Sequence, residues 1–350
     1  MNEFRVSEKT FFIEDYSKNN FNVKSYDKIY NVDINSDTLN DIINNNYISG
    51  DFIIIDNYFK GQINNNINNF IFYIDAKEDS KNINTVLQIV DYLYENNFNK
   101  SNKLLVIGGG ITQDIGGFVS GIFKRGINWI YIPTTLLAMT DSCIGGKVGI
   151  NHHSKNMLGM FVSPTKVIIS QYFLNTLSSD MIISGLGESL KLAIIGGKTE
   201  TELFMELYKN KDYLTIIKQS LVIKKAIIEH DELEKNERRV LNYGHTIGHA
   251  IEAMSNFFIP HGIAVLFGMY FINKLFEIKC LEEMNNYILE MIPKKYFIKF
   301  DGKKIIEHLK KDKKNIGNRI CFIVPNTFGD TQIKFVDCEE INCKLIKLFE

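Results

Sequence analysis

Lys103–Phe118 reads KLLVIGGGITQDIGGF, and how that stretch is taken decides the fold. Leu104–Ile107 is a short aliphatic run, three glycines follow at Gly108–Gly110, and apolar residues from Thr112 to Phe123 recur at helical spacing. A buried strand that stops at glycines and turns into a helix is the first half of a βαβ unit, with backbone amides free to approach an anion. The run is not the GxGxxG fingerprint, and on its own a glycine triplet after a strand is as often a mere tight turn. Its neighbours decide. Upstream, DFIIID (Asp51–Asp56) and NFIFYID (Asn69–Asp75) are strand-length apolar runs, and Asn82–Asn97 places Val86, Ile89, Val90 and Leu93 at a helical period. Downstream, Trp129–Ile132 is a further strand. Such alternation predicts a parallel sheet with helices on its faces.

The next segment, PTTLLAMTDSCIGGKVGIN and KNMLGMF, sets Thr134, Thr135, Asp141, Lys147, Lys155 and Asn156 among glycines. Any one of these suits a solvated loop; together they suit the floor of a ligand site. Residues 1–50 are rich in Asn, Asp, Lys and Ile and offer few landmarks, and the asparagines at Asn44–Asn46 and Asn64–Asn69 read as compositional bias in surface loops. Beyond Ser178 the helical period takes over, in Met181–Ile195, Thr199–Asn210, Ile216–His230, Thr246–Phe257 and Ile263–Phe276, and only Arg319–Val324 reads as a strand. The chain therefore divides near residue 175, into an α/β domain at 1–175 and a mainly helical domain at 176–350.

Two stretches of the helical half carry chemistry. RRVLNYGHTIGHAIEAMSNFFIPH (Arg238–His261) spends three of the chain's seven histidines. His245 and His249, four apart, share a helix face and could share a cation or a polar ligand. An isolated HxxxH is more often a pair of satisfied, half-buried rings, but His261 lies between a proline and a glycine, where a sharp turn can return it to the helix. A carboxylate is wanting. GLGESLKLA (Gly185–Ala193) offers Glu188, three residues before Lys191; the bland reading is a surface ion pair, yet the rest of that helix is apolar, so the pair would face an interior.

With 350 residues the chain can bury two cores. Its net charge of −1 provides no broad basic surface for nucleic acid or an anionic membrane. Five cysteines without CxxC spacing read as reduced thiols, and neither a signal-peptide pattern nor a membrane-length apolar run occurs, so a soluble cytoplasmic protein is expected.

In this order, GGGITQDIGGF, KRGINWIYIPTTLLAMTDSCIGGKVGIN, KNMLGMF, GESLKLA and RRVLNYGHTIGHAIEA…HG resemble the 3-dehydroquinate synthase family of the sugar phosphate cyclases. The likeness is strong over residues 100–270, reaches DKK at Asp312–Lys314, and is thin before residue 75. It implies a Rossmann-like NAD-binding domain, a helical metal- and substrate-binding domain, an active site in the cleft between them, and a homodimer. The implied zinc ligands, with Co2+ as an alternative metal, are Glu188, His245 and His261, which assigns His249 to substrate. Arg125, Lys147, Asn156, Lys191, Lys224, Arg238, Asn242 and Lys313 are the other implied substrate and catalytic residues. Gly109, Gly110, Asp114, Thr134, Thr135, Asp141 and Lys155 are implied NAD contacts, joined by Asp56, Glu78 and Lys81 from the poorly matching region. The implied activity is that of a phosphate-eliminating carbon–oxygen lyase of the shikimate pathway, which supplies aromatic amino acid biosynthesis. It converts 3-deoxy-D-arabino-heptulosonate 7-phosphate to 3-dehydroquinate through transient oxidation, elimination, reduction and aldol closure. The alternatives are a cyclase of the amino-dehydroquinate, 2-deoxy-scyllo-inosose or valiolone type, a metal-dependent polyol dehydrogenase, and a binding paralogue without turnover. The chain also departs from the family pattern: the loop NHHSK (Asn151–Lys155) is one residue short with Ser154 in place of glycine, Val148 replaces a threonine, and Gln113 a small residue.

Overall fold

The computed structural model describes residues 2–64, 70–310 and 317–349. Its strands are β1 (Glu3–Val6), β2 (Lys9–Phe12), β3 (Asn20–Lys24), β4 (Ile29–Asn35), β5 (Phe52–Asp56), β6 (Ile71–Ile74), β7 (Lys103–Gly108), β8 (Asn128–Pro133), β9 (Lys147–His152), β10 (Ser154–Phe161), β11 (Lys166–Ser170), β12 (Arg319–Thr327) and β13 (Asp330–Asp337). The chain forms two compact units, Ser17–Leu177 and Met1–Tyr16 with Ser178–Glu350.

The first unit is α/β. Its seven-stranded sheet runs β3-β4-β11-β8-β7-β5-β6, parallel from β4 to β6 with β3 antiparallel at one edge. The inner strands are aliphatic on both faces because both faces are covered, as the fully buried Leu104–Ile107 and Ile53–Ile55 show. From β5 the chain steps outward to β6 and then crosses back to place β7 on the other side of β5. That reversal puts a topological switch point between β5 and β7, where ligands of open α/β sheets bind at the carboxyl ends of the strands. The glycine triplet ends β7 there, and the helix Gly110–Ile122 begins within it.

The second unit is mainly helical. Its helices include Ser179–Gly196, Lys198–Asn210, Tyr213–Ile228, His245–Met254 and His261–Leu275. Beside them lies a four-stranded sheet in the order β12-β13-β1-β2, so two expectations need correction. The first 16 residues, expected with the α/β domain, join the helical unit, because β1 pairs in parallel with β13 and contributes the buried side chains Phe4 and Val6. The second half also holds more than one strand. DTQIKFVD, partly exposed and polar at alternate positions, pairs antiparallel with β12 as β13. Asn151–Lys155, expected as a loop, is instead the tip of the β9–β10 hairpin, with His153 at φ 58.

Candidate functional site

Glycines beside the candidate ligands let three helices meet backbone to backbone. A Cβ on Gly187, the neighbour of Glu188, would lie 2.3 Å from the carbonyl oxygen of Gly262, the neighbour of His261; a Cβ on Gly262 would lie 1.7 Å from that of Ser184. Across the other seam, a Cβ on Gly268 would lie 1.9 Å from the carbonyl oxygen of Gly244, the neighbour of His245. No side chain larger than hydrogen fits these positions without moving backbone. Close approach of the helices thus carries the adjacent acid and imidazoles to one place.

There Oε1 of Glu188 stands 3.3 Å from Nε2 of His245 and 3.0 Å from Nε2 of His261. Glu188 and Lys191, both 1% exposed, form the expected ion pair. Each ring is oriented from behind. Nδ1–H of His245 donates to the carbonyl oxygen of Tyr243 at 3.1 Å, and Nδ1–H of His261 donates to Oε2 of Glu252 at 3.0 Å. With Nδ1 engaged, each ring turns its Nε2 toward the same carboxylate oxygen. That oxygen is buried, and no donor meets it in hydrogen-bonding geometry. Two imidazole nitrogens gathered on one carboxylate oxygen form a donor set suited to a divalent cation such as zinc, which takes the place of the ring protons. Ring nitrogens of His245, His249 and His261 also lie within 4.8 Å of one another, so His249 stands in the same cluster.

Charge couples the same groups. Burial pushes the Glu188 carboxyl up, but Lys191 and the two imidazoles outweigh it and hold the group well below the usual carboxylate range. Burial lowers His245. It opposes the charge of His261 too, yet Glu252 and Glu188 prevail and push that ring up to about 10.

The remaining candidates of this unit flank the cluster in sequence. Lys224 and Arg238 are buried cations. Asp231, unremarkable in the sequence, organises the segment bearing Arg238: its carboxylate accepts the backbone N–H of Lys235, Asn236 and Arg238 at 2.9, 2.8 and 3.1 Å. Asn242 donates to Oε1 of Glu234 at 2.8 Å. Lys313 lies outside the described residues.

In the α/β unit, Gly109 caps the helix Gly110–Ile122 without any side-chain bond to its amides, and a Cβ on Gly110 would meet nothing within 4 Å. The N-terminal amides are thus left to a ligand such as a pyrophosphate. Thr134 and Thr135 follow β8, with the Thr134 amide donating to the carbonyl oxygen of Gly108 at 3.1 Å. Asp56 ends β5 and accepts from the Tyr58 amide at 3.0 Å. Asp114 pairs with the buried Lys81 at 2.6 Å and accepts from the Gly149 amide at 3.0 Å, while Oε1 of Glu78 accepts from Asn151 at 2.7 Å. Glu78, Lys81 and Asp114 thereby tie the β9–β10 hairpin to the turn Glu78–Ser80 and to the helix Gly110–Ile122. Lys147, Lys155 and Asn156 lie exposed on that hairpin, and Arg125 is exposed at φ 63 after the helix. Gln113 reaches Asp141's neighbour, donating to the carbonyl oxygen of Ser142 at 2.6 Å and accepting from its hydroxyl at 2.5 Å.

The fold is that of the sugar phosphate cyclases. A 2-deoxy-scyllo-inosose synthase, solved with carbaglucose-6-phosphate, NAD+ and Co2+, matches with a TM-score of 0.78 and 22% identity, over 94% of this chain and 99% of that one. The 2-epi-5-epi-valiolone synthase of Streptomyces hygroscopicus subsp. jinggangensis 5008, with NAD+ and Zn2+ bound, matches at 0.76 and 23%, over 91% and 96%. Within that class the sequence is more particular. The 3-dehydroquinate synthase N-terminal model matches residues 71–184 and the C-terminal model residues 185–315. A 3-dehydroquinate synthase of Pelagibacter ubique (strain HTCC1062) is 36% identical over 301 residues, 80% of each chain. This chain belongs to the 3-dehydroquinate synthase family.

Proposed function

We propose that the chain converts 3-deoxy-D-arabino-heptulosonate 7-phosphate to 3-dehydroquinate and phosphate, as a carbon–oxygen lyase that needs NAD and a divalent metal. The convergence of Nε2 of His245 and Nε2 of His261 on Oε1 of Glu188 carries the reading. These three side chains hold the metal, zinc or cobalt. The open helix N-terminus at Gly109–Gly110, with Asp56, Thr134, Thr135, Asp141 and Lys155, takes NAD; Glu78, Lys81 and Asp114 shape the wall of that site. Bound NAD supplies a reversible hydride acceptor, and the bound cation supplies Lewis acidity toward substrate hydroxyls.

The chain's own side chains do the rest. A substrate bearing both a carboxylate and a phosphate needs cations gathered locally, since the net charge is only −1. Lys191, Lys224 and Arg238 provide them in the helical unit, Arg238 as a fork and the lysines as point charges; Lys313 is assigned the same role. Asn242 and His249 bind substrate hydroxyls. Arg125, Lys147 and Asn156 are the substrate groups of the α/β unit. Burial of Glu188 and Lys191 keeps water from the carboxylate and sharpens every charge there. We further assign a cytoplasmic homodimer in aromatic amino acid biosynthesis; the five cysteines, all free, suit a reducing compartment.

The test is incubation of the purified chain with NAD, Zn2+ and the heptulosonate phosphate. Phosphate release without net NADH is expected. Release only from a different sugar phosphate would move the chain to another cyclase activity, and net NADH from a polyol would make it a dehydrogenase.

A further inference from the structure

Glu252 lies on the same helix as His245, two turns along, and in sequence it is indistinguishable from an ordinary surface acid. In the structure it is 4% exposed. A carboxylate so buried is costly unless its oxygens are met. Oε2 accepts from Nδ1–H of His261 at 3.0 Å, and Nε2 on the opposite side of that ring faces Oε1 of Glu188 at 3.0 Å. The His261 imidazole is thus held between Glu252 and Glu188, one carboxylate on each ring nitrogen. His245 receives the equivalent support from the Tyr243 carbonyl, a backbone group that a substitution does not remove. Of the two ring supports, only Glu252 belongs to a side chain.

We propose that Glu252 is a positioning residue for the metal site. By accepting from Nδ1 it holds His261 in the tautomer and ring orientation that aim the Nε2 lone pair at the cation, and its charge makes that nitrogen a stronger donor. The proposal rests on the reading of Glu188, His245 and His261 as ligands, and its test separates the two.

Zn2+ affinity is measured on the full chain by competition with a chromophoric chelator, and Co2+ binding by its visible absorption, with no turnover required. E252A is expected to weaken Zn2+ binding by about 10- to 100-fold. E252Q recovers part of the loss, because its amide oxygen still accepts from Nδ1. In an H261A background, removing Glu252 changes affinity by less than about twofold, since the effect travels through that ring. A comparable loss in both backgrounds would mean that Glu252 merely supports the fold, and equal affinity in wild type and E252A would likewise overturn the proposal. A wild-type chain that takes up no Zn2+, or an H261A chain that binds as tightly as wild type, would sink the ligand assignment itself. If E252A fails to fold, E252Q with and without H261A completes the same cycle.

Discussion

Glu188 is held as an anion in a place that burial would otherwise forbid, and the groups responsible are Lys191 and two imidazoles. Replacing it by glutamine keeps the volume and one oxygen but removes the charge. Two consequences follow at the scale of this one residue. The proposed metal site loses its single anionic ligand, and the buried Lys191 ammonium loses a carboxylate partner, which for buried pairs costs about 3–5 kcal/mol. Glu188→Gln is therefore expected to show no stoichiometric Zn2+ by elemental analysis and a lower urea midpoint even without metal. Retained stoichiometric Zn2+ would place the cation on the three histidines instead. The four side chains were legible one by one, as GES, GHTIGH and PHG, but what binds them was less visible. Each has a glycine for a neighbour, Gly187, Gly244, Gly248 or Gly262, and all four sit where helix backbones nearly touch. Even at Gly248, the loosest of them, a Cβ would lie 2.9 Å from the Ala264 carbonyl oxygen. Glu252 gave no such signal, because an acid two residues from the end of a short helix looks the same whether it faces water or an imidazole.

Among the elements, the segment from Asp231 to Asn242 shows how a single acid can fold a loop. Burial raises the Asp231 carboxyl, yet the three backbone N–H groups of Asn236, Lys235 and Arg238, aided by the Arg238 charge, lower it on balance. A carboxyl depressed on folding stabilises the native state above its unfolded value, near about 4. That contribution is lost as pH falls through the lower folded value. Asp231→Asn keeps one acceptor oxygen and loses the charge, and is expected to cost about 2 kcal/mol at pH 7. The acid limb of its stability curve should also be flatter than wild type's in urea titrations from pH 7 to 3, and KM for the substrate should rise more than kcat falls, because Arg238 is displaced. A parallel shift of the two curves at all pH values would show that the Asp231 charge has no part. The strands divide in the same way between local and distant causes. β5, β7 and β8 could be read directly because strands buried on both faces are aliphatic throughout. β3 and β4, threaded with asparagine, and the half-exposed β13 could not, since their partners rather than their composition make them strands.

For the molecule as a whole, the decisive contact that sequence could not disclose is the pairing of β1 with β13, Arg5 opposite Asp330 and Val6 opposite Thr331. No local pattern reports a partner that distant. The N-terminal segment is fastened to the helical unit at several points: the Arg5 amide donates to the Gly329 carbonyl oxygen at 2.6 Å, Asn2 donates to Oε1 of Glu200 at 2.7 Å, and Glu14 pairs with Lys225 at 2.7 Å. Phe4 anchors it, buried and stacked on Phe11 with ring centroids 5.3 Å apart. Phe4→Ala removes that anchor and should cost about 3–5 kcal/mol. If residues 1–16 belong to the helical unit, the loss falls on that unit, so Zn2+ release should move to lower urea concentration while NAD binding by the α/β unit persists to its wild-type concentration. The two ligands followed together in one urea titration, Zn2+ by a chelating dye and NAD by fluorescence, check this. Earlier loss of NAD with Zn2+ retained would assign the first 16 residues to the α/β unit, as composition and order along the chain had suggested.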